Sequence, residues 1–95
     1  MKLRYTVRAA AELDDVLSFI DAHSPQGARR VKARIQATID LILAHPRSGR
    51  LTRKGRLRRV VAHPYPYLIF YRATEEEIVI HGLRHGARRP ASMPG

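Results

Sequence analysis

Two apolar stripes with the spacing of an α-helix follow one another in the first half of the chain, and they constrain its fold more than any other feature. The first repeats at intervals of three and four residues and consists of Leu13, Val16, Leu17 and Ile20. The second repeats in the same way and consists of Ala28, Val31, Ile35, Ile39 and Ile42. Between them, Ser24 and Pro25 are typical of an N-cap and a first helical position. We predict two antiparallel helices joined by a short turn, the second ending at His45 before Pro46.

The polar faces of the two predicted helices differ in charge. On the first helix we expect an acidic outer face, with acids in the first turn where they suit the helix dipole. Its acids are Glu12, Asp14, Asp15 and Asp21, half of the eight in the chain. The second helix has a cationic face formed by Arg29, Arg30, Lys32 and Arg34.

Strand-like segments flank the helices. Leu3, Tyr5 and Val7 alternate with polar residues, which predicts a half-buried N-terminal strand. After a turn-rich connector at 46–56, further strands are expected at 57–62, 67–72 and 78–83, the last two joined as a hairpin by the short link 73–77. The order β-α-α-β-β-β predicts an α+β fold. In it, a helical hairpin packs on one face of a mainly antiparallel sheet whose last three strands are antiparallel.

The length of the chain favours a single domain. With 95 residues we expect one domain over 1–89 and a flexible C-terminal tail over 90–95. The absence of cysteine excludes disulfides and thiolate metal sites. No apolar run approaches the roughly 20 residues that cross a bilayer, and no apolar stretch follows the N-terminal charges as in a signal peptide. We therefore expect a cytoplasmic protein that does not contact membranes.

Positive charge indicates the kind of partner. Eighteen Lys and Arg residues oppose eight Asp and Glu, giving a net charge of +10. Such an excess favours a polyanionic partner, either nucleic acid, a nucleic-acid machine or an acidic protein segment. A solvated, arginine-rich surface without a dedicated partner is the alternative interpretation.

The cations are densest between residues 47 and 59. Seven of these thirteen residues are basic, namely Arg47, Arg50, Arg53, Lys54, Arg56, Arg58 and Arg59. On a loop and the start of a strand they would form a platform for phosphates or a clamp for an acidic chain. A charged edge strand that protects against aggregation would have the same composition.

The aromatic residues of the fourth strand have two interpretations. Tyr67, Phe70 and Tyr71 could stack on bases. Aromatic residues in a central strand more often belong to the core, which is the interpretation we favour. Strand alternation places Tyr67 and Tyr71 on one face and Phe70 on the other.

The histidines do not form a metal motif, and we expect neither a metal nor another cofactor. His81 and His85 are separated by roughly 13 Å on an extended strand, and no HExxH pattern occurs. His85 is nevertheless close in sequence to Arg84, Arg88 and Arg89, and cationic neighbours disfavour the charged imidazole. It could therefore act as a general base. A cationic strand end that contacts a partner is the favoured alternative.

Several short segments, weak alone but ordered and spaced consistently, complete the pattern. They are Thr6-x-x-Ala9 opening a helix with Asp15 and Ile20, then Gly27 and Ala28 in the second helix, Pro46-Arg47-Ser48-Gly49-Arg50, Tyr67-Leu68-Ile69-Phe70-Tyr71-Arg72, and Ile78 to Leu83 leading into His85-x-x-Arg88. Through these segments the chain resembles the ParE branch of the ParE/RelE toxins over about residues 3–89. The resemblance implies a RelE/ParE-like fold and a ParD-like or RelB-like antitoxin whose C-terminal segment wraps the toxin. From charge complementarity we expect that segment to be acidic and amphipathic, lying on the helical hairpin and the cationic sheet edge.

The resemblance leaves two targets open, because ParE-like toxins poison DNA gyrase and RelE-like relatives cut mRNA in the ribosomal A site. RelE-like nucleases often have an arginine where Leu68 stands here and a tyrosine near the C-terminus, yet no tyrosine follows Tyr71. This favours a gyrase inhibitor without catalytic residues that traps cleaved DNA. A ribosome-dependent nuclease would have to use Arg58, His85 and Arg88. A third possibility is an interaction or nucleic-acid-binding module without toxicity.

The candidate surface for the target and the antitoxin combines the cationic segment with the end of the last strand. Its residues are Arg47, Arg50, Arg53, Lys54, Arg56, Arg58, Arg59, Arg84, Arg88 and Arg89. The position after Arg88 is often acidic in ParE-like chains and is Arg89 here.

Overall fold

The computed structural model describes residues 1–86 and contains two helices and five strands. In chain order these are β1 (Lys2–Tyr5), α1 (Val7–His23), α2 (Pro25–Ala44), β2 (Arg50–Leu51), β3 (Arg58–Val61), β4 (Tyr67–Ala73) and β5 (Glu77–His85). The strands form one sheet in the order β1-β5-β4-β3-β2. The predicted α+β fold is confirmed. Neither helix within residues 1–86 is both long and apolar enough to span a membrane.

The sheet is mixed, because its first strand runs parallel to its last. β1 pairs with β5 in parallel, whereas β3, β4 and β5 pair antiparallel as predicted. The short β2, within the predicted connector, was not foreseen from the sequence. It contributes only Arg50 and Leu51, opposite Arg59 and Arg58, and two residues are too few to produce a periodic signal.

Helix α1 begins one residue after Thr6, earlier than the alternation of apolar residues indicates. The Thr6 hydroxyl accepts a hydrogen bond from the Ala9 amide at 3.0 Å, as an N-cap does. Val7 is therefore the first helical residue and is 88% exposed, so its assignment to the N-terminal strand is wrong. With this start the first turn contains no acid, and the expected acid–dipole interaction there is also wrong.

Helix α2 begins and ends where the sequence predicts. The Ser24 hydroxyl accepts a hydrogen bond from the Gly27 amide at 3.0 Å, and Pro25 occupies the first turn. At the other end, the His45 amide donates to the Leu41 carbonyl at 2.8 Å and Pro46 follows.

The core lies between the two helices and one face of the sheet. Its fully buried members come from α1, α2, β4, β5 and the residue after β3. They are Ala9, Val31, Ile35, Ile39, Ile42, Ala62, Ile69, Tyr71, Ile78, Ile80 and Leu83. Tyr71 is the largest of the completely buried side chains, in agreement with the prediction that it is a core residue.

The buried Tyr71 hydroxyl binds the loop that follows α2. It donates a hydrogen bond to the Pro46 carbonyl at 2.9 Å and accepts one from the Gly49 amide at 2.8 Å. A Cβ atom on Gly49 would lie 2.5 Å from this hydroxyl, so a larger residue could not approach without displacing the ring. The loop that begins the cationic segment is thus fixed to the middle of the sheet.

We expect Tyr71→Phe to lower the free energy of unfolding by about 1–3 kcal/mol, because it leaves a buried amide and a carbonyl without their partner. Thermal and urea denaturation measure this loss. Tyr65→Phe is the matched control, since the Tyr65 hydroxyl has no hydrogen bond within residues 1–86. Equal stabilities of the two variants would contradict the proposed importance of this contact.

Candidate functional site

The face of the sheet opposite the helices, here called the outer sheet face, combines cations with apolar side chains. Residues directly opposite one another in paired strands share a face. Phe70 pairs with Arg59, and Leu68 pairs with Arg84, whereas the neighbouring Ile69 and Tyr71 face the helices. Arg4 and Arg72 flank Val79 on the same outer face.

Arg84 is oriented by an aromatic ring and a carboxylate. Its guanidinium carbon lies 5.8 Å from the centre of the Phe70 ring, within the range of a cation–π contact. Its Nε lies 3.9 Å from a Glu12 carboxylate oxygen. Arg84 was predicted as a binding residue, whereas Phe70 was assigned to the core. The outer face therefore presents a partly exposed aromatic ring with a cation held over it.

Glu12 is turned toward the sheet, so the expectation that it lies on the outer face of α1 is wrong. Its carboxylate accepts a hydrogen bond from the Leu83 amide at 3.1 Å and lies 3.6 Å from the Arg8 guanidinium. The cause is the short length of β1, which ends at Tyr5 and leaves the Leu83 amide without a strand partner. Glu12 supplies the missing acceptor, and a hydrogen bond to a charged group is stronger than a neutral one.

Most of the predicted cationic segment is exposed in and around the β2–β3 connection. The exposed members are Arg47, Arg50, Arg53, Lys54 and Arg56. Gly55 has a φ of 67°, which suits glycine at this turn. Arg59 lies on the outer sheet face opposite Phe70. These residues form a continuous stretch of chain with no acid among them.

Arg58 differs from its neighbours because its guanidinium is used within the protein. It donates to the carbonyls of Arg47 at 3.2 Å and of Gly49 at 2.8 Å. Arg58 pairs with Tyr71 and shares its face of the sheet, so it supports the loop after α2.

His85 lies at the opposite end of β4 from Arg58. It pairs with Tyr67, and the two rings meet edge to face at 5.3 Å. Tyr67 and Tyr71 are four residues apart on β4, so Arg58 and His85 are separated by at least roughly 13 Å along the strands. The structure does not bring these two candidate catalytic residues together. Arg88, Arg89 and the predicted tail at 90–95 lie outside the described residues.

His81 is the extra residue of a bulge in β5, since Phe70 pairs with Gly82 and Tyr71 pairs with Ile80. Burial, followed by the charges of Arg72 and Arg4, lowers the pKa of the His81 imidazole below its usual value of 6.5. The imidazole is therefore neutral at pH 7 among the cations of the outer sheet face. Within residues 1–86, no three His, Cys, Asp or Glu side chains lie close enough to hold a metal ion.

The sequence did not identify Arg4, Phe70, Arg72 and Glu12 as parts of this surface. The first three meet there only through the strand register, and Glu12 does so only because β1 ends early. Strand alternation correctly placed Phe70 on the face opposite Tyr71, and the same alternation places Leu68 and Arg72 beside Phe70.

Comparison with known proteins gives consistent matches over most of the chain. The family model described as the ParE toxin of the type II toxin–antitoxin system parDE matches residues 3–90. Y4kP of Sinorhizobium fredii, which is named as a toxin, is 36% identical over 75 residues, covering 79% of this chain and 78% of that protein. Toxin RelE2 of Caulobacter vibrioides is 34% identical over 84 residues, covering 88% of this chain and 93% of that protein.

Among solved structures, a chain of a chromosomal ParDE toxin–antitoxin system from P. aeruginosa has the same fold. The TM-score is 0.77 with 23% sequence identity, covering 90% of this chain and 95% of that chain.

The lowered pKa of His81 predicts a specific pH dependence of stability. Because the unfolded imidazole binds a proton at a higher pH than the folded one, stability is fully present above about pH 6.5 and decreases as the pH falls below it. We expect NMR titration to give His81 a midpoint below 6.5 that rises in Arg72→Gln. We also expect His81→Gln to lose less thermal stability than the unsubstituted chain between about pH 6.5 and 5. Exposed His63→Gln is the control, and a His81 midpoint above 6.5 would refute the electrostatic argument.

Proposed function

The chain belongs to the ParE toxin family of type II toxin–antitoxin systems, and we propose that it inhibits DNA gyrase by binding the enzyme and trapping its cleaved DNA. As the toxin of such a system, it has an antitoxin as its partner. The proposal places this activity in the cytoplasm and requires neither a metal nor another cofactor.

The position of Arg58 is the observation that carries the choice of target. Cleavage of a phosphodiester needs an acid, a base and a cationic group within hydrogen-bond reach of the same reacting atoms. Here the Arg58 guanidinium is bound to the carbonyls of Arg47 and Gly49, and His85 lies at the far end of β4. The lack of any tyrosine after Tyr71 adds to this argument. A toxin that binds its target without cutting RNA needs no such constellation.

In this proposal the cations act as a binding surface. The exposed side chains of the β2–β3 connection and the cations of the outer sheet face would contact gyrase or the phosphates of its bound DNA. The residues are Arg47, Arg50, Arg53, Lys54, Arg56, Arg59 and Arg84, with Arg88 and Arg89 added from the sequence. Arg58 stabilises this surface indirectly, because its guanidinium donates to the Gly49 carbonyl and so holds the loop after α2 in place.

A ribosome-dependent mRNA endonuclease is the second candidate, and two observations favour it. One relative of this chain is named Toxin RelE2. The outer sheet face also offers a partly exposed ring, Phe70, with Arg84 above it, and such platforms stack on single-stranded bases. In that case Arg58, His85 and Arg88 would be the catalytic residues, and Arg58 would have to leave its carbonyl partners.

The first test incubates purified chain, gyrase of the native host, ATP and plasmid, and measures linear DNA after denaturation and proteolysis. We expect linear DNA to accumulate. Arg50→Glu with Arg53→Glu should reduce it by roughly tenfold, because reversed charges repel an anionic partner. Arg30→Glu with Arg34→Glu on α2 has the same change in charge and serves as the control. Thermal denaturation verifies that both variants fold.

Other results would refute gyrase poisoning or establish the nuclease. Normal supercoiling without linear DNA would refute gyrase poisoning. Transcripts cut at codon boundaries soon after induction, together with complete loss of toxicity in a folded His85→Ala variant, would establish the nuclease instead.

A further inference from the structure

A groove opens between α1 and the adjoining ends of β4 and β5. It has a volume of about 270 Å³ and is here called the α1–β5 groove. Its lining residues are Asp15, Val16, Phe19, Tyr67 and His85. Asp15, Val16 and Phe19 lie one to two turns beyond Glu12 on the same side of α1, so the groove continues the line along which this helix contacts β5.

The walls of the groove are aromatic and aliphatic. Phe19 is 54% exposed, and every other Phe or Tyr within residues 1–86 is more buried. Val16 and Tyr67 pack against the hydrophobic core, which fixes the floor, and the Tyr67 ring is held at right angles to His85. Apolar walls of this kind accommodate the stem of a lysine or arginine.

Helix α1, which forms one wall of the groove, is acidic, whereas the protein as a whole is cationic. Helix α1 carries four of the eight acidic residues and one of the eighteen Lys and Arg residues. Asp15 is exposed at the groove, and its carboxylate forms no ion pair with any residue in 1–86. An acidic segment that binds the cationic surfaces elsewhere would be repelled here. A complementary occupant must bring a positive charge to this position.

We propose that the α1–β5 groove is a docking site for an arginine or lysine side chain of the antitoxin. The stem of this side chain lies on Val16 and Tyr67, and its charged group pairs with the Asp15 carboxylate. The antitoxin segment is therefore divided in charge, cationic where it crosses α1 and acidic where it reaches the β2–β3 connection. The inference rests on the antitoxin partnership of the proposed toxin and is independent of gyrase as target.

The test measures the dissociation constant for the antitoxin that neutralises this chain on co-expression, by calorimetry with the full chain. We expect Asp15→Arg to weaken binding by about tenfold or more, because it places like charges together. Asp14→Arg, a change of the neighbouring exposed acid outside the groove lining, should alter it less than about twofold. Replacing each Lys and Arg of the antitoxin by Glu in turn should reveal one substitution that restores binding to Asp15→Arg.

Three results would overturn the proposal. They are unchanged binding of Asp15→Arg, an equal loss in Asp14→Arg, and failure of every antitoxin substitution to restore binding. Sedimentation of the free chain addresses a different occupant, since dimerisation abolished by Asp15→Arg would assign the groove to a second copy of the chain and refute the antitoxin contact. The gyrase assay is repeated for each variant without antitoxin. If no linear DNA accumulates even with the unsubstituted chain, the gyrase proposal fails, whereas the dissociation constants still test the antitoxin contact at the groove.

Discussion

The Tyr71 hydroxyl lies in the apolar core where α2 ends, and burial of this group without a partner would cost about 1–3 kcal/mol. The loop at Pro46 to Gly49 satisfies it with one carbonyl and one amide. Because that loop is fixed, the chain leaves α2 in the direction that lets Arg50 and Leu51 pair with β3. Arg58 strengthens the same arrangement by binding two further carbonyls of the loop. The position of the whole cationic connection therefore depends on one buried tyrosine.

A second constraint operates at the other edge of β5, where β1 is too short to cover the strand. Thr6 caps α1 and at the same time donates its amide to Ile80, so the helix starts directly against the sheet. Nearly two turns later, Glu12 takes the place of the absent strand by accepting a hydrogen bond from the Leu83 amide. The same carboxylate holds Arg84 near Phe70. The early end of β1 therefore also determines how Arg84 is oriented on the outer sheet face. Helix α1 thus acts partly as an edge strand for β5.

The sequence predicted the elements whose signals are local and periodic. Ser24 and Pro25 marked the helical turn because capping chemistry depends on neighbouring residues alone. Val7 was misassigned because an exposed apolar residue at a helix start looks like the next member of an alternating strand. The inward orientation of Arg58 and the sheet contact of Glu12 were beyond prediction, since both depend on pairing between residues distant in the chain. Composition indicated a cationic surface, but only the strand register distinguishes Arg58, which is bound inside the protein, from the exposed cations.

The strand order has a consequence for how the protein is made. β5 is the last strand within residues 1–86, yet it lies between β1 and β4 and contributes Ile78, Ile80 and Leu83 to the core. The first strand and the start of α1 have their partners on this last strand. Contacts between distant parts of a chain form late, and an unfinished sheet exposes apolar surface. During translation the domain therefore stays incomplete until β5 has been made, and the outer sheet face forms only once this strand pairs with β1 and β4.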